Sequence, residues 1–307
     1  MTDKVIDLSV DIAGLKLKNP VIAASGTFGF GREFRDYIDL NMLGGISVKG
    51  LTLEPRQGNK PPRIAETPAG ILNSVGLQNP GVKAFMEEEI PFLRKYDTLI
   101  IANIAGNTIE DYCKMAEMLS GADIDAVELN VSCPNVKKGC VSFGNTVAGI
   151  TEITRQVRSF CKKPLIVKLT PNVTDITEIA MAAEAEGADA VSLINTITGM
   201  AIDIHRRKPI LANNTGGLSG PAVKPVAVRM VYQVSCAVKI PVIGMGGIST
   251  GDDALEFMLA GASAVMVGTA NFINPSACID VVNGIENYLK MYNYDTVYEI
   301  IGKLQLN

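Results

Sequence analysis

The sequence has a single histidine, His205, and no C-x-x-C pair. Its six cysteines, at 113, 133, 140, 161, 236 and 278, therefore lack the company that a zinc or iron–sulfur site requires, and no metal site is expected on this chain. It also lacks an excess of basic charge. With 28 Lys and Arg against 32 Asp and Glu, the formal net charge is -4, which excludes a general field for phosphate backbones and makes nucleic acid an unexpected partner. No run of about 18 apolar residues occurs, and the charged, alternating start MTDKVIDLSVDIAGLKLKNP has no signal-like apolar stretch. A cytoplasmic chain without a membrane segment is the expectation. Linkers, charge runs and low-complexity segments are missing too, so residues 1–307 are read as one domain.

What is present is core-forming material: 47% hydrophobic against 20% charged residues. Short, nearly continuous apolar runs recur at Val21–Ala24, Gly45–Val48, Leu99–Ile104, Ala126–Val131, Leu165–Leu169, Ala190–Asn195, Pro241–Gly244 and Ala264–Gly268. Such runs suit parallel strands covered on both faces. Helical spacing fills the intervals Val82–Lys95, Thr108–Ser120, Val147–Cys161, Ile176–Glu186, Ala222–Val238, Gly251–Ala260 and Ser276–Met291. The repeated Gly-Ala-x-Ala-Val at 187–191 and 261–265 places a glycine helix stop directly before a strand. Eight β/α units predict an α/β fold, a (β/α)8 TIM barrel, in preference to a doubly wound sheet. A hairpin, Ile6–Asp11 with Lys16–Lys18 around Ala13-Gly14, is expected at its bottom. Two connections, Leu51–Gly81 and Thr196–Pro221, are long for this fold, and both follow strand C-termini, where barrels place lids and substrate contacts. In the first, RIAET and ILNSV flank Pro68-Ala69-Gly70 as a hairpin would.

Barrel chemistry is assembled at strand C-termini. In order, those ends are Ser25-Gly26, Lys49-Gly50, Asn103, Asn130, Lys168, Asn195-Thr196, Gly246-Gly247 and Gly268-Thr269. Two lysines and three asparagines around one mouth suit a planar heterocycle with carbonyl and N–H edges, and an anionic substrate. GMGGIST at 244–250 and MVGTA at 266–270 fit the barrel phosphate site. GTFGFG at 26–31 reverses the spacing of the dinucleotide fingerprint, and a Rossmann reading is rejected. Cys133 follows the fourth strand in ELNVSCPNVKKGCVSFG, within a Lys/Gly-rich loop read as mobile. A thiol there can serve as base or nucleophile, with Lys137 or Lys138 favouring its thiolate, or it can be an inert strand-end cysteine. Cys140 is read as incidental, and three or four of Cys113, Cys161, Cys236 and Cys278 as small buried hydrophobes.

These residues carry a resemblance to the dihydroorotate dehydrogenases along essentially the whole chain. NPVIAASGTFGFG (19–31), NSVGLQNPG (73–81), ELNVSCPN (128–135), NTITGMAID (195–203), GGLSGPAVKP (216–225) and GMGGIST (244–250) occur in order. The resemblance implies oxidation of dihydroorotate to orotate in pyrimidine biosynthesis with one FMN per chain. It implies FMN phosphate near Gly246, Gly247, Gly268 and Thr269, and a flavin ring contacted by Ser25, Lys49, Gly50, Asn103, Asn130, Lys168, Ile194 and Gly220. Substrate would be held by Lys49, the segment Asn73, Ser74, Val75, Gly76 and Leu77, and by Asn130, Asn195 and Thr196. Cys133 would be the base, and closure of the 133–143 loop would exclude water.

Within the family, the cysteine and the absence of an amphipathic N-terminal extension point away from the membrane-bound, serine-using class. SVGLQNPG and GGLSGPAVKP favour class 1B over the fumarate-using homodimers of class 1A. Class 1B implies a homodimer core joined to a second subunit that carries FAD and a [2Fe-2S] cluster and passes electrons to NAD, giving a heterotetramer. Cys140 departs from the glycine common in the family. Three other readings compete: a Schiff-base aldolase using Lys49 or Lys168, a tRNA-reducing flavin barrel, which calls for a basic surface, and a non-enzymatic scaffold subunit.

Overall fold

A computed structural model of the chain describes residues 5–132 and 143–307. Eight parallel strands close into a barrel in the chain order Val21–Ala23, Gly45–Ser47, Leu99–Ile104, Ala126–Asn130, Leu165–Lys168, Ala190–Leu193, Val242–Met245 and Ala264–Val267, here barrel strands 1 to 8. The ring closes where Val265, Met266 and Val267 pair with Val21, Ile22 and Ala23. Each apolar run of the sequence is therefore a barrel strand, shifted at its ends by a residue or two. Most strand residues are buried, because the barrel fills one face and helices cover the other.

The helices Ile109–Ser120, Val147–Phe160, Ile176–Ala185, Lys224–Ala237, Gly251–Leu259 and Ala277–Met291 follow barrel strands 3 to 8. Their starts are fixed by side chains written into the sequence. Thr108 with Asp111, and Thr250 with Asp253, form reciprocal capping boxes, each cap stabilising its helix by about 0.5–2 kcal/mol. Gly187 and Gly261 take φ values of +91° and +110° at the helix-to-strand turns, a left-handed conformation that only glycine adopts freely.

Two details differ from the expectation. Barrel strand 1 is followed by turns and one 3-10 turn, Leu40–Met42, with no α-helix. Its place is filled by an aromatic loop in which Phe28 stacks on Phe34 at 4.0 Å while Phe30 meets Phe85 at 5.9 Å. The segment after barrel strand 2 is not one regular helix either: α-helical Val82–Ala84 and Ile90–Leu93 flank a π-helical turn, Phe85–Glu89. The hairpin precedes barrel strand 1 as expected but is shorter, Val10–Ile12 with Leu15–Leu17. Its residues Val10, Ile12, Leu15 and Leu17 are buried in the main core.

The two long connections do more than form separate loops. Ile64–Thr67 and Gly70–Asn73 make the expected hairpin, and they join Gly216–Ser219 and Ile197–Gly199 in one four-stranded antiparallel sheet. Asn73 pairs with Gly217 and Leu72 with Leu218. Ala65 and Leu72 of this sheet form a small apolar cluster of their own with Leu211. Among the described residues, no helix is long and apolar enough to cross a membrane.

Candidate active site

The C-terminal mouth of the barrel opens into a cavity of about 540 Å³, within the range of small-molecule sites. Its floor contains Lys49, Asn103, Asn130, Lys168 and Asn195 from barrel strands 2 to 6. Ser25 and Gly50 border the floor, and Ile194, which follows a cis peptide bond from Leu193, lies beside it. The antiparallel sheet forms a roof through Asn73, Gly216 and Gly217, continued by Ser74, Val75, Gly76 and Leu77, with Thr196 at its edge. Gly220, Gly246, Gly247, Gly268 and Thr269 close one end. Every described site residue named from the sequence thus lies at one cavity. Cys133, Lys137, Lys138 and Cys140 lie outside the described residues.

The floor is held by directional contacts. Lys168, 5% exposed, donates from Nζ to Ser25 Oγ at 3.1 Å and lies 3.9 Å from the Glu128 carboxylate. Asn195 Nδ2 donates to Asn130 Oδ1 at 3.2 Å while its own Oδ1 accepts from the Thr196 N–H at 2.8 Å. Lys49 Nζ reaches the Gly26 carbonyl at 3.5 Å. Burial, and secondarily the nearby Arg63 guanidinium, lower the pKa of Lys49 below the ordinary lysine value. The roof is tied down by Asn73 Nδ2 donating to the Gly217 carbonyl at 3.3 Å, and by Asn59 Nδ2 donating to the Ser74 carbonyl at 2.8 Å.

Two features look outward to a ligand. Asn103 is fully buried, its Nδ2 is spent on Glu128, and its Oδ1 has no hydrogen-bond partner among the described residues. A buried acceptor left in that state is costly, and a ring N–H in the cavity would satisfy it. At the glycine end, Gly220, Gly246 and Gly247 have φ values of +98°, +121° and +83°. A Cβ on Gly247 would lie 2.7 Å from Lys224 Cβ and 3.0 Å from the Gly220 carbonyl oxygen, so only glycine lets this turn pack so closely on Gly220 and Lys224, and main-chain groups line that end of the cavity. Together these features suit a heterocycle joined to a phosphate.

The family pattern described as dihydroorotate dehydrogenase matches residues 7–289. The chain belongs to the dihydroorotate dehydrogenase family. It is similar to the protein named dihydroorotate dehydrogenase B (NAD(+)), catalytic subunit, of Alkaliphilus oremlandii, at 64% identity over 97% of this chain and 99% of that one. Proteins of the same name from Thermoanaerobacter pseudethanolicus and Bacteroides fragilis are 60% and 58% identical, each over 98% of this chain. Membership in this family displaces the aldolase, tRNA-reducing and scaffold readings.

Residues one layer below the strand ends, or farther along the loops, belong to the site without being marked by the strand-end pattern. Glu128, Ser47 and Ser192 are fully buried inside the barrel, and both serine hydroxyls donate to the Glu128 carboxylate at 2.7 Å. A charged residue in the middle of the strand AVELN, flanked by Val127 and Leu129, is the signal available for Glu128. Asn172, beyond barrel strand 5, also lines the cavity. It donates to the Thr196 carbonyl at 3.0 Å and accepts from the Thr198 N–H at 2.9 Å. Among the described residues, no cluster of three or more His, Cys, Asp or Glu side chains is placed to hold a metal ion.

Proposed function

We propose that this chain is the FMN-bearing catalytic subunit of a class 1B dihydroorotate dehydrogenase, oxidising dihydroorotate to orotate in pyrimidine biosynthesis. The observation that carries the reading is the cavity floor, where two lysines and three asparagines converge beside a glycine crevice. Gly220, Gly246, Gly247, Gly268 and Thr269 would hold the FMN phosphate. Ser25, Gly50, Asn103, Lys168 and Ile194 would hold its ring, with Lys49 and Asn130 shared between ring and substrate. Bound FMN supplies the two-electron acceptor for the hydride leaving C6 of the substrate.

The chain's own groups do the rest. The Lys49 ammonium neutralises the substrate carboxylate, and the amides of Asn73, Asn130 and Asn195 match the carbonyl and N–H edges of the ring. Main-chain groups of Ser74, Val75, Gly76 and Leu77, with Thr196, cover it from the roof side and exclude water. Cys133 takes the C5 proton as general base. Lys168 would hold the pyrimidine edge of a bound flavin and offset negative charge there on reduction. A partner subunit carrying FAD and a [2Fe-2S] cluster would supply the route for electrons to NAD, in a cytoplasmic heterotetramer built on a homodimer of this chain. The relatives' names, which specify NAD(+) and a catalytic subunit, support that partner.

The test is anaerobic mixing of the purified protein with dihydroorotate. The expected outcome is loss of flavin absorbance at about 450 nm. A flavin that stays oxidised sinks the reading. Parallel turnover assays of the co-purified complex separate the acceptors, since reduction of fumarate by this chain alone would place it in class 1A.

A further inference from the structure

The chemistry above gives no part to Glu128, although it is the most heavily engaged carboxylate under the cavity. Its Oε1 accepts from Ser192 Oγ, its Oε2 accepts from Ser47 Oγ and Asn103 Nδ2, and Lys168 Nζ lies 3.9 Å away. These five residues come from barrel strands 2 to 6. A barrel interior is ordinarily filled by branched apolar side chains, and a buried carboxylate is tolerated only when well paired. Holding the barrel closed does not call for a charge. Orienting the polar groups above it does.

The amide of Asn103 illustrates this. A carboxylate can only accept, so Asn103 must turn its Nδ2 down toward Glu128. Its Oδ1 is then the acceptor left over in the cavity lining, and it is the one without a partner among the described residues. Turning the amide over would set oxygen against oxygen. Lys168 is located by the same carboxylate on one side and by Ser25 on the other.

We infer that Glu128 is a positioning residue that sets the polarity of the flavin floor. It fixes Asn103 as the acceptor for a ring N–H, and it offsets the positive charge that Lys168 presents to the same ring. The inference rests on the FMN reading above. A floor with Lys168 charged and Glu128 neutralised would favour the more negative, reduced flavin over the oxidised one.

Glu128→Gln tests this in the FMN-loaded full-length chain. The side chain keeps its shape, and the hydroxyls of Ser47 and Ser192 can turn from donating to accepting, so the barrel is expected to fold. Oxidised FMN should dissociate at least roughly tenfold more readily. The ratio of reduced to oxidised affinity should rise by at least roughly tenfold, an upward shift of about 30 mV for a two-electron couple. Glu128→Asp, which keeps the charge but withdraws it by one methylene, should fall between wild type and Glu128→Gln on both readouts. A Glu128→Gln protein with wild-type FMN affinity and potential but a lower Tm would overturn the inference, because a purely structural carboxylate affects folding alone. If Glu128→Gln does not fold, wild-type values in Glu128→Asp overturn it equally. A wild-type chain that binds no FMN would instead overturn the functional reading on which the inference stands.

Discussion

Asn195 donates its side-chain amide to Asn130 Oδ1 across 3.2 Å, joining the ends of barrel strands 4 and 6 over the cavity floor. The Ser132 N–H points to the same oxygen at 3.3 Å. With Oδ1 occupied from two sides, Asn130 is left with its Nδ2 as the donor for a ligand. Asn195→Asp would place an acceptor against that oxygen and press the Asn130 amide to turn. A loss of about 1–3 kcal/mol is expected. It should appear as a roughly tenfold to hundredfold rise in the dissociation constant for orotate. Unaltered orotate affinity by calorimetry would show that Asn130 is held without Asn195.

The lowered pKa of Lys49 makes a pH prediction with a definite sign. Its charged form holds an anionic ligand. Orotate affinity should therefore be complete at low pH and fall as pH rises through the lowered lysine value, below the usual value of about 10.4. Folding runs the other way: between the folded and unfolded pKa values the unfolded chain binds the extra proton, so this group's contribution to stability increases with pH. Lys49→Arg should move the loss of affinity beyond the accessible range. An affinity profile that is the same in wild type and Lys49→Arg would remove Lys49 from substrate binding.

At the phosphate end, Gly247→Ala combines a φ of +83° with a Cβ 2.7 Å from Lys224 Cβ. FMN dissociation should increase at least roughly tenfold, equivalent to about 1.4 kcal/mol. Fluorescence titration of the apoprotein reads this directly, and retention of wild-type affinity would move the phosphate elsewhere.

For the proposed base, Cys133→Ser should slow flavin reduction by dihydroorotate by roughly 10²–10⁴-fold. Its pH dependence should also shift upward, because a hydroxyl ionises less readily than a thiol. Stopped-flow reduction at wild-type rate would exclude Cys133 from proton transfer.

The barrel was legible because parallel strands covered on both faces are written as short apolar runs, and because Lys49, Asn103, Asn130, Lys168 and Asn195 end those runs. Glu128, Ser47 and Ser192 were hidden by the same rule, since they point into the barrel below the mouth and are read as interruptions of apolar strands. The roof was half legible. RIAET and ILNSV declare a hairpin around Pro68-Ala69-Gly70, but Gly216 and Gly217 have little strand propensity and owe their place to pairing with a distant segment. The missing helix after barrel strand 1 was foreshadowed by the absence of a helical run between residues 24 and 44, a space taken instead by Phe28, Phe30 and Phe34.

The pairing of Asn73 with Gly217 sets an order of assembly. These residues are 144 positions apart, and closing so long a loop is entropically unfavourable until the closed barrel has brought the ends of strands 2 and 6 to the same mouth. The sheet over the mouth consequently forms after the barrel that carries it, and the cavity acquires its cover as a late event of folding. Pulse-labelled hydrogen exchange during refolding should protect the amides of Val127 and Val191 before that of Leu218. Simultaneous protection would mean that scaffold and cover condense as one unit.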